Sequence, residues 1–115
     1  MADFTIKKGA TAPAIQARLK AKDGTTVTLT GATVKFSMRD KITQVVKVNK
    51  AAATIVSATP PADPDDPNVE YSWASGDTDT KGNYEAEWEV TYSGGAVEIF
   101  PDQGYSDIQV SDDVP

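Results

Sequence analysis

Apolar and polar side chains take turns along most of this chain. Over residues 32–39, Ala32, Val34, Phe36 and Met38 fall on one side and Thr33, Lys35, Ser37 and Arg39 on the other. Successive side chains of an extended strand point to opposite faces, so this alternation predicts a strand with one face in a core. Residues 84–92 repeat the pattern with larger groups. Tyr84, Ala86, Trp88, Val90 and Tyr92 point one way, and Glu85, Glu87, Glu89 and Thr91 the other. Shorter cases set Ile15, Ala17 and Leu19 against Gln16, Arg18 and Lys20, and Val69, Tyr71 and Trp73 against Glu70 and Ser72. Further strands are expected over residues 4–7, 26–29, 44–48, 53–57, 96–100 and 105–110.

Turn chemistry separates these segments: Lys22-Asp23-Gly24, Thr30-Gly31, Ser93-Gly94-Gly95 and Asp102-Gln103-Gly104. Short strands with turns at near-regular intervals predict a sandwich or barrel. Residues 10–18 could form a short helix, but Pro13 and the alternation that follows favour an edge strand. Residues 58–68 hold four prolines and three aspartates. Proline donates no ladder hydrogen bond, so this stretch reads as an extended surface loop. Strand patterning resumes at Val69, which leaves one domain over residues 1–115, with 111–115 expected as a loose tail.

Composition narrows the chemistry. The chain has no cysteine, hence neither a disulfide nor a thiolate metal site, and no histidine, the commonest general base and metal ligand. Met1-Ala2-Asp3-Phe4 offers no basic segment followed by an apolar stretch, and no apolar run approaches membrane-spanning length. The net charge of −6 is unevenly distributed: residues 1–50 carry ten Lys/Arg and three Asp, whereas 51–115 carry Lys81 as the one base against fourteen Asp/Glu. The bases are spread singly along alternating segments, without a nucleic-acid-binding motif, so basic strands pairing with acidic strands in one sheet is the expected arrangement. If the charge halves also separated in space, head-to-tail contacts between copies would be favoured and salt-sensitive.

Asp77-Thr78-Asp79-Thr80-Lys81-Gly82 begins like a calcium loop, but Lys81 stands at the third ligand position and Trp88 where a bidentate glutamate belongs. It reads as a polar turn. Asp63, Asp65 and Asp66 read as a solvated loop. Glu85, Glu87 and Glu89 line one outer strand face and do not oppose each other across a cleft as glycosidase carboxylates do. A serine nucleophile lacks a histidine base, and Gly94-Gly95 belongs to a hairpin turn. Trp73, Tyr71 or Tyr105 could form a small sugar-binding face, but the two tryptophans sit in strand patterns that make them core residues first. No catalytic, cofactor-binding or metal residue is assigned, and neither an enzyme nor a cofactor is expected.

In an immunoglobulin-like sandwich the third and sixth strands are sheet neighbours. With 32–39 as the third and 84–92 as the sixth, Lys35 and Arg39 would face Glu85, Glu87 and Glu89. The stretch Asp79-Thr80-Lys81-Gly82-Asn83-Tyr84-Glu85-Ala86 resembles the approach to the sixth strand of immunoglobulin domains, with Tyr84 as a corner tyrosine. One extra residue between Asp79 and Gly82, and Ala86 at the cysteine position, argue against a cell-surface antibody-type domain.

Nearly the whole chain resembles another family. In order come Phe4-Thr5-Ile6-Lys7-Lys8-Gly9, Ala12-Pro13-Ala14-Ile15, Asp23-Gly24, Val27 to Phe36, Val69-Glu70-Tyr71, Asp79 to Tyr84 and Phe100-Pro101. This series is similar to the N-terminal immunoglobulin-like domain of phage baseplate upper proteins. The resemblance implies an all-β, immunoglobulin-like antiparallel sandwich of about 7–9 strands. It also implies a non-enzymatic virion structural role in the tail, baseplate, neck or capsid decoration. Other virion proteins and further copies of the chain would be its partners, without nucleic acid, membrane or small-molecule ligand. The chain would be made in the host bacterial cytoplasm and reside in the virion. Such domains usually continue into a region reaching receptor-binding parts. A chain ending at Pro115 is therefore expected to act as a standalone tail or capsid component. The alternative is a carbohydrate- or host-surface-binding sandwich, which requires exposed aromatics.

Overall fold

The computed structural model describes residues 3–21, 23–63, 66–101 and 104–112. Nine strands follow one another: β1 (Phe4–Lys7), β2 (Ile15–Ala17), β3 (Thr33–Asp40), β4 (Val46–Ala52), β5 (Thr54–Ile55), β6 (Val69–Tyr71), β7 (Gly82–Thr91), β8 (Val97–Phe100) and β9 (Ser106–Ser111). No helix occurs among the described residues. The larger sheet runs β1-β9-β7-β3-β4, with β8 also on β7, and the smaller runs β2-β6-β5. All pairings are antiparallel except β1 with β9. Strands β8 and β9 pair with successive parts of β7 and so act as one interrupted last strand. The sandwich is immunoglobulin-like, with the third and sixth strands of that plan, β3 and β7, at the centre of the larger sheet.

The alternation predicts the core correctly. Phe36 and Trp88 reach it from the larger sheet, and Tyr71 and Trp73 from β6 and the residues after it. Phe36 stacks on Tyr71 at 4.7 Å and meets Trp88 at 4.8 Å and Trp73 at 5.7 Å, both edge-on. Each such pair adds about 0.5–1.5 kcal/mol beyond the area it buries, so this cluster clamps the two layers together. The Trp73 Nε1 is buried without a hydrogen-bond partner, and its ring stands perpendicular to those of Phe36 and Tyr71.

Two polar groups fasten the sandwich. The Tyr84 hydroxyl donates to the Thr80 carbonyl at 2.7 Å, the corner-tyrosine bond anticipated from the sequence. Asn68 is fully buried: its Oδ1 accepts from the Leu19 amide at 2.9 Å, and its backbone amide donates to the Ala17 carbonyl at 3.0 Å. It thereby extends the β2–β6 ladder where β2 has ended. Arg18 Nη1 holds the proline-rich loop from outside by donating to the carbonyls of Asp63 and Asp66.

Three expectations need correction. Residues 26–29 contribute Val27 and Leu29 to the core but form only a bridge, Thr26 to Lys20, because the Leu29 amide turns away to the Ala58 carbonyl. The strand expected at 44–48 begins at Val46 and runs to Ala52, because Asp40 organises a turn ahead of it. Ser111 belongs to β9, and Asp112 pairs with Lys81 at 3.1 Å, so these two residues are no loose tail, while 113–115 lie outside the described residues. Residues 10–18 give the expected edge strand as β2, Ile15–Ala17, at the edge of the smaller sheet.

Candidate functional site

The outer face of the larger sheet collects the chain's unusual surface features. In the antiparallel register of β3 and β7, Lys35 lies opposite Glu89, Ser37 opposite Glu87 and Arg39 opposite Glu85. The expected basic-to-acidic register is therefore present, though only Arg39 closes an ion pair across it. Arg39 Nε donates to Glu85 Oε2 at 2.6 Å. Glu89, however, takes its cation from β4, with Lys50 Nζ at 3.2 Å. Lys50 reaches it because β4 bulges between Val48 and Ala51, where Lys50 has φ 49°. Farther along the face, Lys41 pairs with Asp107. Lys35 and Glu87 are left without an ion pair or hydrogen bond among the described residues.

The basic and acidic halves of the chain are thus interleaved here. Arg39, Lys41, Lys47 and Lys50 each pair with a carboxylate from the acidic half, Lys47 with Asp79. Segregation along the sequence becomes mutual neutralisation in the sheet, and the head-to-tail dipole it could have produced does not arise on this face.

A shallow cleft of about 170 Å³ opens over this register, lined by Ser37, Arg39, Val46, Asn49, Glu87 and Tyr105 among others. Arg39 lies over the Tyr105 ring, 5.1 Å from its centroid, and donates from Nη2 to the Tyr105 hydroxyl at 2.9 Å. Apolar groups flank the charged centre. Val46 opposes Arg39 at one end, and Val97 and Ile99 oppose Thr91 and Glu89 at the other. Paired residues share a sheet face, so these side chains point outward with the charges, and all three are exposed. Ile42, at the tip of the β3–β4 turn, is 88% exposed.

That turn is built locally. The Asp40 carboxylate accepts from the amides of Ile42 at 2.8 Å and Thr43 at 2.9 Å, which holds its pKa below the usual carboxylate value. Gln44, with φ 64°, then reverses the chain. The apolar tip escaped sequence reading because Val45 and Val46 look like strand residues. The available signal was Asp40 followed by Thr43, a residue pair suited to closing a side-chain-capped turn.

The calcium-like stretch is a structural turn. Asp77 Oδ2 accepts from the Tyr71 hydroxyl at 2.5 Å and the Ala74 amide at 2.8 Å, and Asp79 pairs with Lys47 and Thr80. Burial, and then the bond to Asp77, push the Tyr71 phenol well above its ordinary pKa. Asp63 and Asp66 present their carbonyls to Arg18, while Asp65 lies outside the described residues. Among the described residues no group of three or more acidic side chains is placed to hold a metal ion. Trp88 and Trp73 are 1% and 5% exposed, and Tyr71 is buried beside them, which leaves Tyr105 as the one accessible ring of those proposed for sugar contact. Gly94 and Gly95 form the β7–β8 hairpin turn, closed by the Tyr92 amide on the Ala96 carbonyl at 2.8 Å.

Comparison with protein-family models, curated proteins and solved structures returns no match to this chain.

Proposed function

We propose that this chain is a non-enzymatic structural module of a phage virion, a tail, baseplate, neck or decoration component that works through protein–protein contacts in a symmetric particle. The observation that carries the reading is the disposition of its apolar surface. Ile42, Val45, Val46, Val97, Ile99 and Tyr105 are exposed on the β3–β4 turn and the larger sheet's outer side. Of the exposed large apolar side chains among the described residues, all but Val56, which follows β5 of the smaller sheet, lie there, and such a grouping suits a surface that another protein covers. The virion setting comes from the family resemblance of the ordered sequence motifs.

The rest of the molecule fits such a role. Asp77, Asp79, Glu85, Glu89 and Asp107 are engaged in turns and ion pairs, and no histidine or cysteine is available for chemistry. The alternative reading, a carbohydrate- or host-surface-binding module, calls for an aromatic platform. Burial of both indoles counts against it, as does the Arg39 guanidinium over Tyr105.

The test is to locate the chain in particles. Mass spectrometry of density-purified phage particles, with an antibody to the chain used in negative-stain images, should find it in fixed multiple copies at a defined position. Its absence from intact particles, with the chain present in the lysate, would refute the reading.

A further inference from the structure

We infer that the outer face of the larger sheet is a self-recognition surface, on which two copies of this chain pack face to face about a twofold axis. This inference rests on the contact-module reading and names one of its partners, the chain itself.

Charge selects the occupant. The chain carries −6 overall, so two copies brought together at random repel. The centre of this face is different. Lys35, Arg39, Lys41 and Lys50 balance Glu85, Glu87, Glu89 and Asp107. The excess negative charge therefore lies elsewhere on the molecule. Within the balanced set three ion pairs are closed internally, and one base and one acid belong to none of them: Lys35, and Glu87, which acts on the Arg39 charge only at longer range.

Those two open charges are placed for a twofold. Lys35 lies opposite Glu89, and Glu87 follows two residues away on β7, so Lys35 and Glu87 are diagonal neighbours displaced mainly along the strands. A twofold axis lying in the interface and crossing between them puts Lys35 of one copy over Glu87 of the second, and Glu87 over Lys35. Such a self-complementary exchange is what a closed two-copy interface requires. The same rotation reverses the strand direction. It brings the Val97–Ile99 end of one face over the Tyr105 end of the other, so the apolar groups left exposed at both ends cover each other. These side chains are 57%, 46% and 44% exposed for Val97, Ile99 and Tyr105. The face is unguarded there, whereas the β4 edge beside it carries a bulge with Lys47 and Lys50, features that discourage strand addition. Face packing is therefore favoured over strand addition at the β4 edge.

The test is a charge swap read by sedimentation velocity and equilibrium on the full chain. The wild-type chain should self-associate to a dimer at micromolar to about 1 mM concentration. Lys35→Glu and Glu87→Lys should each weaken association by about tenfold or more, since each creates two like-charge contacts per dimer. The double variant should recover most of the wild-type affinity, and Ile99→Asp should abolish association. All three positions are on the outer face, and circular dichroism and melting would show the fold intact. A folded wild-type chain that stays monomeric throughout, or single reversals that leave association unchanged, or a double variant no better than the singles, would overturn the inference. A dimer behaving as expected in a chain absent from virions would defeat the virion reading and leave this surface standing.

Discussion

Strands β3 and β7 show what one alternation does on two sides. On the inner side Phe36 and Trp88 meet at 4.8 Å with both rings out of water. On the outer side, at Arg39, the guanidinium meets Glu85 at 2.6 Å in partial contact with solvent. The inner contacts are irreplaceable because a close-packed interior leaves a void when a ring is removed. The outer contacts trade one set of hydrogen bonds for another with water, so each contributes only about 0.2–1 kcal/mol. The inner face therefore supplies stability. The outer face supplies register, and substitutions there should leave the chain folded, as the proposed contact surface requires.

Substitutions should separate the two. Phe36→Ala or Trp88→Ala should cost about 3–5 kcal/mol in chemical denaturation, enough to leave a domain of this size marginal or unfolded. Asn68→Ala strands the Leu19 amide in the interior and should cost about 1–3 kcal/mol. Tyr84→Phe removes one hydroxyl bond to Thr80 and should cost about 1 kcal/mol by the same measurement. Glu85→Gln on the outer face should fall below about 1 kcal/mol. A loss for Glu85→Gln as large as that for Phe36→Ala would erase the distinction between the faces.

The pH response should be the flattest result of all. No histidine titrates near neutrality. Hydrogen bonds to Thr25 at Asp23, to Thr43 and Ile42 at Asp40, and to Lys47 at Asp79 hold these carboxylates below their ordinary 3.8. Depressed values mean their contribution is present above 3.8 and is lost as pH falls through the lowered values. Burial, and then the bond to Glu98, raise the Tyr92 phenol from 10.0 to about 12. Its contribution is full below 10.0 and is lost as pH rises toward about 12. The melting temperature should therefore be level between ~5 and ~9 and fall outside that window. A step near neutrality would contradict this assignment.

The sequence made the long strands legible because their side chains obey a period of two over many residues. Strand β1 and the burial of both indoles follow from that period, whereas the β3–β7 pairing, and with it Arg39 facing the glutamates of β7, needed the immunoglobulin-like plan as well. Contacts set by distant backbone were hidden. Nothing local marks Asn68 as the residue that continues the β2 ladder, or Asp77 as the acceptor for Tyr71. At 26–29 the alternation was real, but it signalled only which side chains enter the core, since the backbone there bonds to Leu19 and Ala58. The bulge in β4 diverted Lys50 to Glu89 and so left Lys35 unpaired, a consequence of backbone geometry that charge counting cannot supply.

Interstrand nuclear Overhauser contacts between β3 and β7 examine the foundation of this account. They should join Lys35 with Glu89, Ser37 with Glu87 and Arg39 with Glu85. A register displaced by a single residue would turn the rings toward water and the carboxylates into the core, and finding it would contradict the two-faced sheet on which the contact surface depends.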